Sequence, residues 1–154
     1  MHRELSPAGL APPAANYAHA ILSTDVSRMV HTSGVVPTRS DGTVPDSIGE
    51  QAVVVWQTIS ALLESAEMTP ANIVSVTTYV VVDHMRELGE VMAARDAALG
   101  EHKAASTLVT VPALAQEAWK MEIAVVATAY EPHPEPNPRS QPEQGERRCT
   151  CRCF

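Results

Sequence analysis

Nine residues near the end of the chain, Trp119-Lys-Met-Glu-Ile-Ala-Val-Val-Ala127, are mostly apolar yet enclose one carboxylate, Glu122. A run of this length and composition is a strand. Burying Glu122 inside it costs free energy unless the carboxylate is used or paired. Lys103 to Pro112 supplies a second strand, rich in Thr and Val. Any fold must lay such strands down and still leave Glu122 a polar or open side.

The rest of the chain supplies the layers. Tyr17–Ser23 and Arg28–Gly34 read as two short strands joined through Thr24-Asp-Val-Ser27, a spacing that suits a hairpin. With the turn centred on Asp25, His19 faces His31, and Tyr17, His19, His31 and Ser33 share one side. After a loop with Pro37, Asp41-Gly42 and Pro45, Ser47 and Glu50 stand at capping-box spacing. The helix they open buries Ile48, Ala52, Val55, Trp56, Ile59, Leu62, Leu63 and Ala66. Ile73–Val82 is a strand by its Val and Thr content. Val74, Val76, Val80 and Val82 form its core face; Ser75, Thr77 and Tyr79 form its polar face. Asp83 is expected to cap a second helix that runs to Leu99 and stops at Gly100.

The 154 residues are enough for one domain with a real core. Hydrophobic residues make up 45% and aromatics 4%, so that core is aliphatic. Residues 1–16 read as an extended arm, 17–130 as the domain, and 131–154 as a disordered Pro-rich tail. The order is ββαβαββ, which predicts an α+β sandwich: a single mixed sheet with two helices on one face. The other sheet face is half-polar, which predicts an oligomer with pockets between subunits.

A net charge of −7 without a continuous basic face argues against a nucleic-acid partner. No apolar window approaches the roughly 18 residues a membrane span needs, so no membrane association is expected. Met1–Asn16 lacks an apolar signal region, and Cys149, Cys151 and Cys153 all lie in the tail. A soluble cytoplasmic protein without structural disulfides is expected. The tail cysteines read as mobile thiols.

In sequence the chain resembles the Rid (YjgF) family of enamine/imine deaminases, over about Ala14–Thr128. The resemblance is carried by Asn16-Tyr17, Thr32-Ser33-Gly34-Val35-Val36-Pro37, Gly42–Pro45 with Glu50-Gln51, Ile73–Val82 with Asp83, and Met121-Glu122-Ile123. It implies a chorismate-mutase-like sandwich, a homotrimer, and a small-molecule substrate in each cleft between subunits. It further implies that Glu122 directs a hydrolytic water and that Tyr17 and Ser33 line the cleft, with Gly34 and Thr107 among the substrate-binding positions. No metal or organic cofactor is implied. The family's Pro-Ala-Arg-Ser reads Lys103-Ala104-Ala105-Ser106 here, so Ala105 replaces the Arg that grips a substrate carboxylate. Losing such a contact costs about 2–5 kcal/mol. The expected activity is hydrolytic deamination of an imine, enamine or related small metabolite other than the usual 2-imino acids. The alternative is a non-catalytic trimeric module that binds a small molecule or a protein.

Each candidate has a plainer reading. Glu122 is either a general acid/base or a seam carboxylate paired with Lys103, Lys120 or Arg95. Arg95, inside the second helix's apolar stripe, either snorkels to a rim or subunit contact or replaces the missing carboxylate holder. His19 and His31 fall short of a zinc site's three or four ligands and read as cleft or surface histidines.

Overall fold

The computed structural model describes residues 1–131. In chain order its elements are β1 (His2–Glu4), β2 (Ile21–Ser23), β3 (Arg28–His31), α1 (Ile48–Ser65), β4 (Ile73–Val81), α2 (Leu88–Leu99), β5 (Ala105–Val111) and β6 (Met121–Ala129). Four strands form a mixed sheet in the order β3-β6-β4-β5. β6 runs antiparallel to both of its neighbours, and β4 and β5 are parallel, joined across α2. This is the expected α+β architecture, with β1 and β2 added as a separate two-stranded ribbon. The assigned tail and its cysteines lie, beyond Glu131, outside the described residues.

The core is aliphatic and lies between the helices and one sheet face. Ile48, Ile59, Leu63, Ile73, Met121 and Ile123 are fully buried, each contributing about 1.5–3 kcal/mol through removal from water. Ser47 begins α1 as expected, its Oγ accepting the Glu50 N–H at 3.1 Å. Six of the expected stripe residues are buried; Ala66 is half-buried and Leu62 is 43% exposed, just off the stripe. Gln51 is buried instead and fully used. Its Nε2 donates to the Pro45 and Ala118 carbonyls, both at 2.8 Å, and its Oε1 accepts the Lys120 N–H at 2.9 Å. One side chain thus ties α1 to the entry of β6.

Three local expectations are corrected. The hairpin does not form: β2 pairs with β1 and β3 pairs with β6. The extended arm supplies a strand, residues 2–4, that takes β2 as its partner, and β3 joins the four-stranded sheet alongside β6. Asp25 adopts φ +54° where the chain passes between the two sheets. His19 therefore contacts the Ala11 carbonyl at 2.8 Å while His31 lies beside Met29, and the two imidazoles do not face each other. In β4 a register shift between Ile73 and Ser75 puts Ile73, Val76, Thr78 and Val80 on the buried face. A bulge of this kind displaces Val74, and Val82 lies past the strand's end, 44% exposed. Asp83 does not cap α2. Val82–Glu87 forms a 3-10 segment, a common connector, that lifts the chain from the sheet to the helix layer. Gly100 ends α2 as expected, at φ +59°.

Candidate functional site

β6 alternates from Met121 to Val126. Met121, Ile123 and Val125 are buried toward the helices, so Glu122, Ala124 and Val126 project from the opposite, helix-free face, where they are half-buried. Across the ladder Glu122 pairs with Tyr79 and Ala124 with Thr77. Beyond them, on β5, Tyr79 pairs with Val109, Thr77 with Thr107 and Ser75 with Ala105.

On the other flank β6 meets Thr32–Val35. Thr32 N–H donates to the Val125 carbonyl at 3.1 Å, and the Thr32 hydroxyl accepts the Val125 N–H at 3.0 Å. Val35 and Ile123 exchange both backbone bonds, at 2.7 and 3.1 Å. Thr32 to Val35 therefore spans one residue more than Val125 to Ile123, as a bulge does. The extra length brings Gly34 over Glu122. A Cβ at Gly34 would stand 1.6 Å from Glu122 Oε1 and 2.7 Å from its Cγ. Glycine is required here for space: the carboxylate occupies the room a side chain would take. Ser33 is exposed beside it, its hydroxyl donating to the Gly34 carbonyl at 3.4 Å.

None of the proposed partners takes this carboxylate, and no ion pair among the described residues includes Glu122. Lys120 donates its Nζ to the Asp46 carbonyl. Arg95 is 4% exposed and bonds Asp96 Oδ1 through Nε at 3.0 Å and Nη2 at 2.8 Å. It lies on the same helical stripe as the buried Val91 and Leu99, so it belongs to the helix layer, across the sheet from Glu122.

Tyr17 lies at the far edge of the sheet. Its neighbour Ala18 bridges to Ala105 and donates its N–H to the Ala104 carbonyl at 3.0 Å, extending the sheet beyond β5. The Tyr17 ring meets His19 edge-on at 5.9 Å. Within one chain the expected site is thus divided. Glu122, Ser33 and Gly34 form one group. Tyr17 and Ala105 form another, with Thr107 on the strand between. At strand spacings of about 4.8 Å and a rise of about 3.3 Å per residue, Tyr17 is about 14 Å across and about 17 Å along the sheet from Glu122. Nothing local in the sequence marks Tyr79, whose place beside Glu122 depends on strand register, or Gln51, whose amide bonds reach far along the chain.

No helix among the described residues is long and apolar enough to cross a membrane. The family description Endoribonuclease L-PSP matches residues 8–129. A RutC family protein of Haemophilus influenzae is 35% identical over 81 residues, 52% of this chain and 57% of that relative. The match thus spans little more than half the relative's length. Among solved structures, the Rid-family protein YyfB of Yersinia pestis shares 26% identity at a TM-score of 0.74, over 83% of this chain and 98% of that one. YjgF of E. coli shares 28% identity at a TM-score of 0.61, over 80% and 92%. A family match that takes in every strand from β2 to β6 and both helices, together with these neighbours, places the chain in the Endoribonuclease L-PSP, or YjgF/Rid, family.

Proposed function

We propose that this chain is a hydrolase that deaminates an imine or enamine, in a cleft completed by a second copy of itself. The observation that carries the reading is the Glu122 carboxylate: held over Gly34 on the open sheet face, with no ion pair among the described residues. It accepts a proton from water as the water oxygen bonds to the imine carbon. The C=N π electrons move to nitrogen, giving a carbinolamine. The same carboxyl group gives that proton to nitrogen, completing the neutral carbinolamine; it then takes the carbinolamine hydroxyl proton and passes it to nitrogen as the C–N bond breaks, so the carbonyl forms and ammonia leaves. The step needs water and one proton carrier, and no metal or organic cofactor.

Tyr17 and Ala105 lie by one edge of the sheet, and Ser33, Gly34 and Glu122 by the other. When copies pack edge to edge in a heterologous ring, the first group of one copy meets the second group of the next. A closed homotrimer would carry three such clefts. Ala105 brings a methyl group where the family's Arg would stand, which supports a substrate without a carboxylate at that end. The same feature favours a second reading, a trimer that binds a small molecule without turning it over. The family description names ribonuclease activity, but a chain of net charge −7 is poorly suited to a phosphate backbone.

The test generates imines in situ, with an amino acid oxidase or a flavin-dependent amine oxidase, and follows ammonia release. Acceleration by the parent and its loss in Glu122→Gln support the hydrolase. Ligand binding without turnover, unaltered by Glu122→Gln, supports the binding module. A stable monomer in sedimentation would remove both.

A further inference from the structure

From the surroundings of Glu122 we infer that Tyr79 sets the specificity of this cleft, and that the ligand it selects is a planar, uncharged molecule with an aromatic or conjugated group. The inference rests on the proposed site around Glu122 but not on its chemistry. Tyr79 is the direct cross-strand partner of Glu122, so their Cβ atoms stand about 5 Å apart on the same face. Gly34 closes the other flank of the carboxylate. A ligand seated against Glu122 therefore has the open glycine side and the phenol ring as its two lateral neighbours.

The surroundings extend the argument. In the row of Glu122 and Tyr79 the next residue is Val109, 39% exposed. The adjoining row on this face holds Ala124, Thr77 and Thr107. Val81 and Val111 flank Tyr79 on the other side, also as a pair. These positions are apolar or hydroxylic and carry no cation. Lys120, two residues before Glu122, is bonded to the Asp46 carbonyl, and Arg95 is in the helix layer. A carboxylate-bearing ligand would meet Glu122 directly, while Lys120, on the same face across from Val81, has its ammonium turned to the Asp46 carbonyl. A flat neutral one can lay its face on the half-buried ring, where offset or edge-on contact adds to simple burial.

Two probes separate this inference from the proposed reaction. Binding of benzamide, isobutyramide and benzoate to the assembled parent is measured by calorimetry or ligand-observed NMR. Benzamide is expected to bind roughly three- to tenfold more tightly than isobutyramide, the range for one aromatic contact, and more tightly than benzoate. Tyr79→Val should abolish that preference while Tyr79→Phe keeps it, with thermal unfolding confirming that both variants fold. In turnover, the imine of benzylamine should show a lower KM than that of isobutylamine, and Tyr79→Val should raise the former with little change in kcat. Benzoate binding as tightly as benzamide, or a benzamide preference that survives Tyr79→Val, overturns the inference even if imines are hydrolysed. A Tyr79-dependent preference for benzamide without any turnover upholds it and refutes the hydrolase.

Discussion

Replacing Gly34 with alanine should separate activity from stability. A Cβ built there lies 1.6 Å from Glu122 Oε1, 2.3 Å from Cδ and 2.7 Å from Cγ, whereas ordinary contact begins at 3.4 Å. The backbone at Gly34 is outside the left-handed region, so alanine itself is not strained there. The unfolded chain loses some freedom, which favours the folded state by about 0.4–1 kcal/mol. The clash runs from Oε1 back to Cγ of a flexible, half-buried side chain, which clears it by turning about Cα–Cβ toward solvent. Stability should therefore change by less than about 1 kcal/mol. The carboxylate, however, must retreat by about 2 Å, and misplacement of about 1 Å already costs some hundredfold in rate. Gly34→Ala should thus lose at least about a hundredfold in kcat/KM for imine hydrolysis, with Tm nearly unchanged. The assay is ammonia release from imines made in situ, beside thermal unfolding and a crystal structure of the variant. A variant within threefold of the parent rate, with its carboxylate visibly displaced, would refute the claim that Glu122 does the chemistry from over Gly34.

Three further outcomes are expected. Ala105→Arg restores a guanidinium at the half-buried position beside Ala18 and should lower KM for 2-imino acids by at least about tenfold, since such contacts are worth about 2–5 kcal/mol; an unchanged KM would place Ala105 outside the substrate's reach. Gln51→Met removes three hydrogen bonds and leaves the Lys120 N–H and the Pro45 and Ala118 carbonyls to find other partners; urea unfolding should show a loss of about 2–4 kcal/mol, and a loss below about 0.5 would mean that water replaces the amide at no cost. Asp41 accepts bonds from the backbone N–H and the hydroxyl of Thr43, which hold its carboxyl below the usual range. Because the folded value is the depressed one, its contribution is present above the unfolded value and fades as pH falls through the folded one; carboxyl NMR titration should find Asp41 moving up toward an ordinary value in Thr43→Val.

Much of the framework was legible in the chain because its determinants are local. The helical spacing from Ile48 to Leu63, the Ser47 cap, the Gly100 stop and the alternation around Glu122 each depend on neighbours within a few residues. The family motifs around Ser33-Gly34 and Met121-Glu122-Ile123 point to the carboxylate from residue order alone. Ladder partners are different in kind. Nothing within Tyr17–Gly34 announces that β2 will pair with residues 2–4 and β3 with residues 126–129. Backbone donors and acceptors are alike along every strand, so total burial over the whole sheet decides which edges meet.

The site follows the same division. The lone acid, and the methyl group at Ala105 in place of the family's guanidinium, are properties of the amino-acid order alone. That Glu122 lies over Gly34 and beside Tyr79, that Arg95 belongs to the helix layer and bonds Asp96, and that Tyr17 stands at the opposite edge were decided by the folded sheet. A strand shifted by one residue turns every side chain to the other face, so proximity between residues 79 and 122 exists only once the register of the whole sheet has been set.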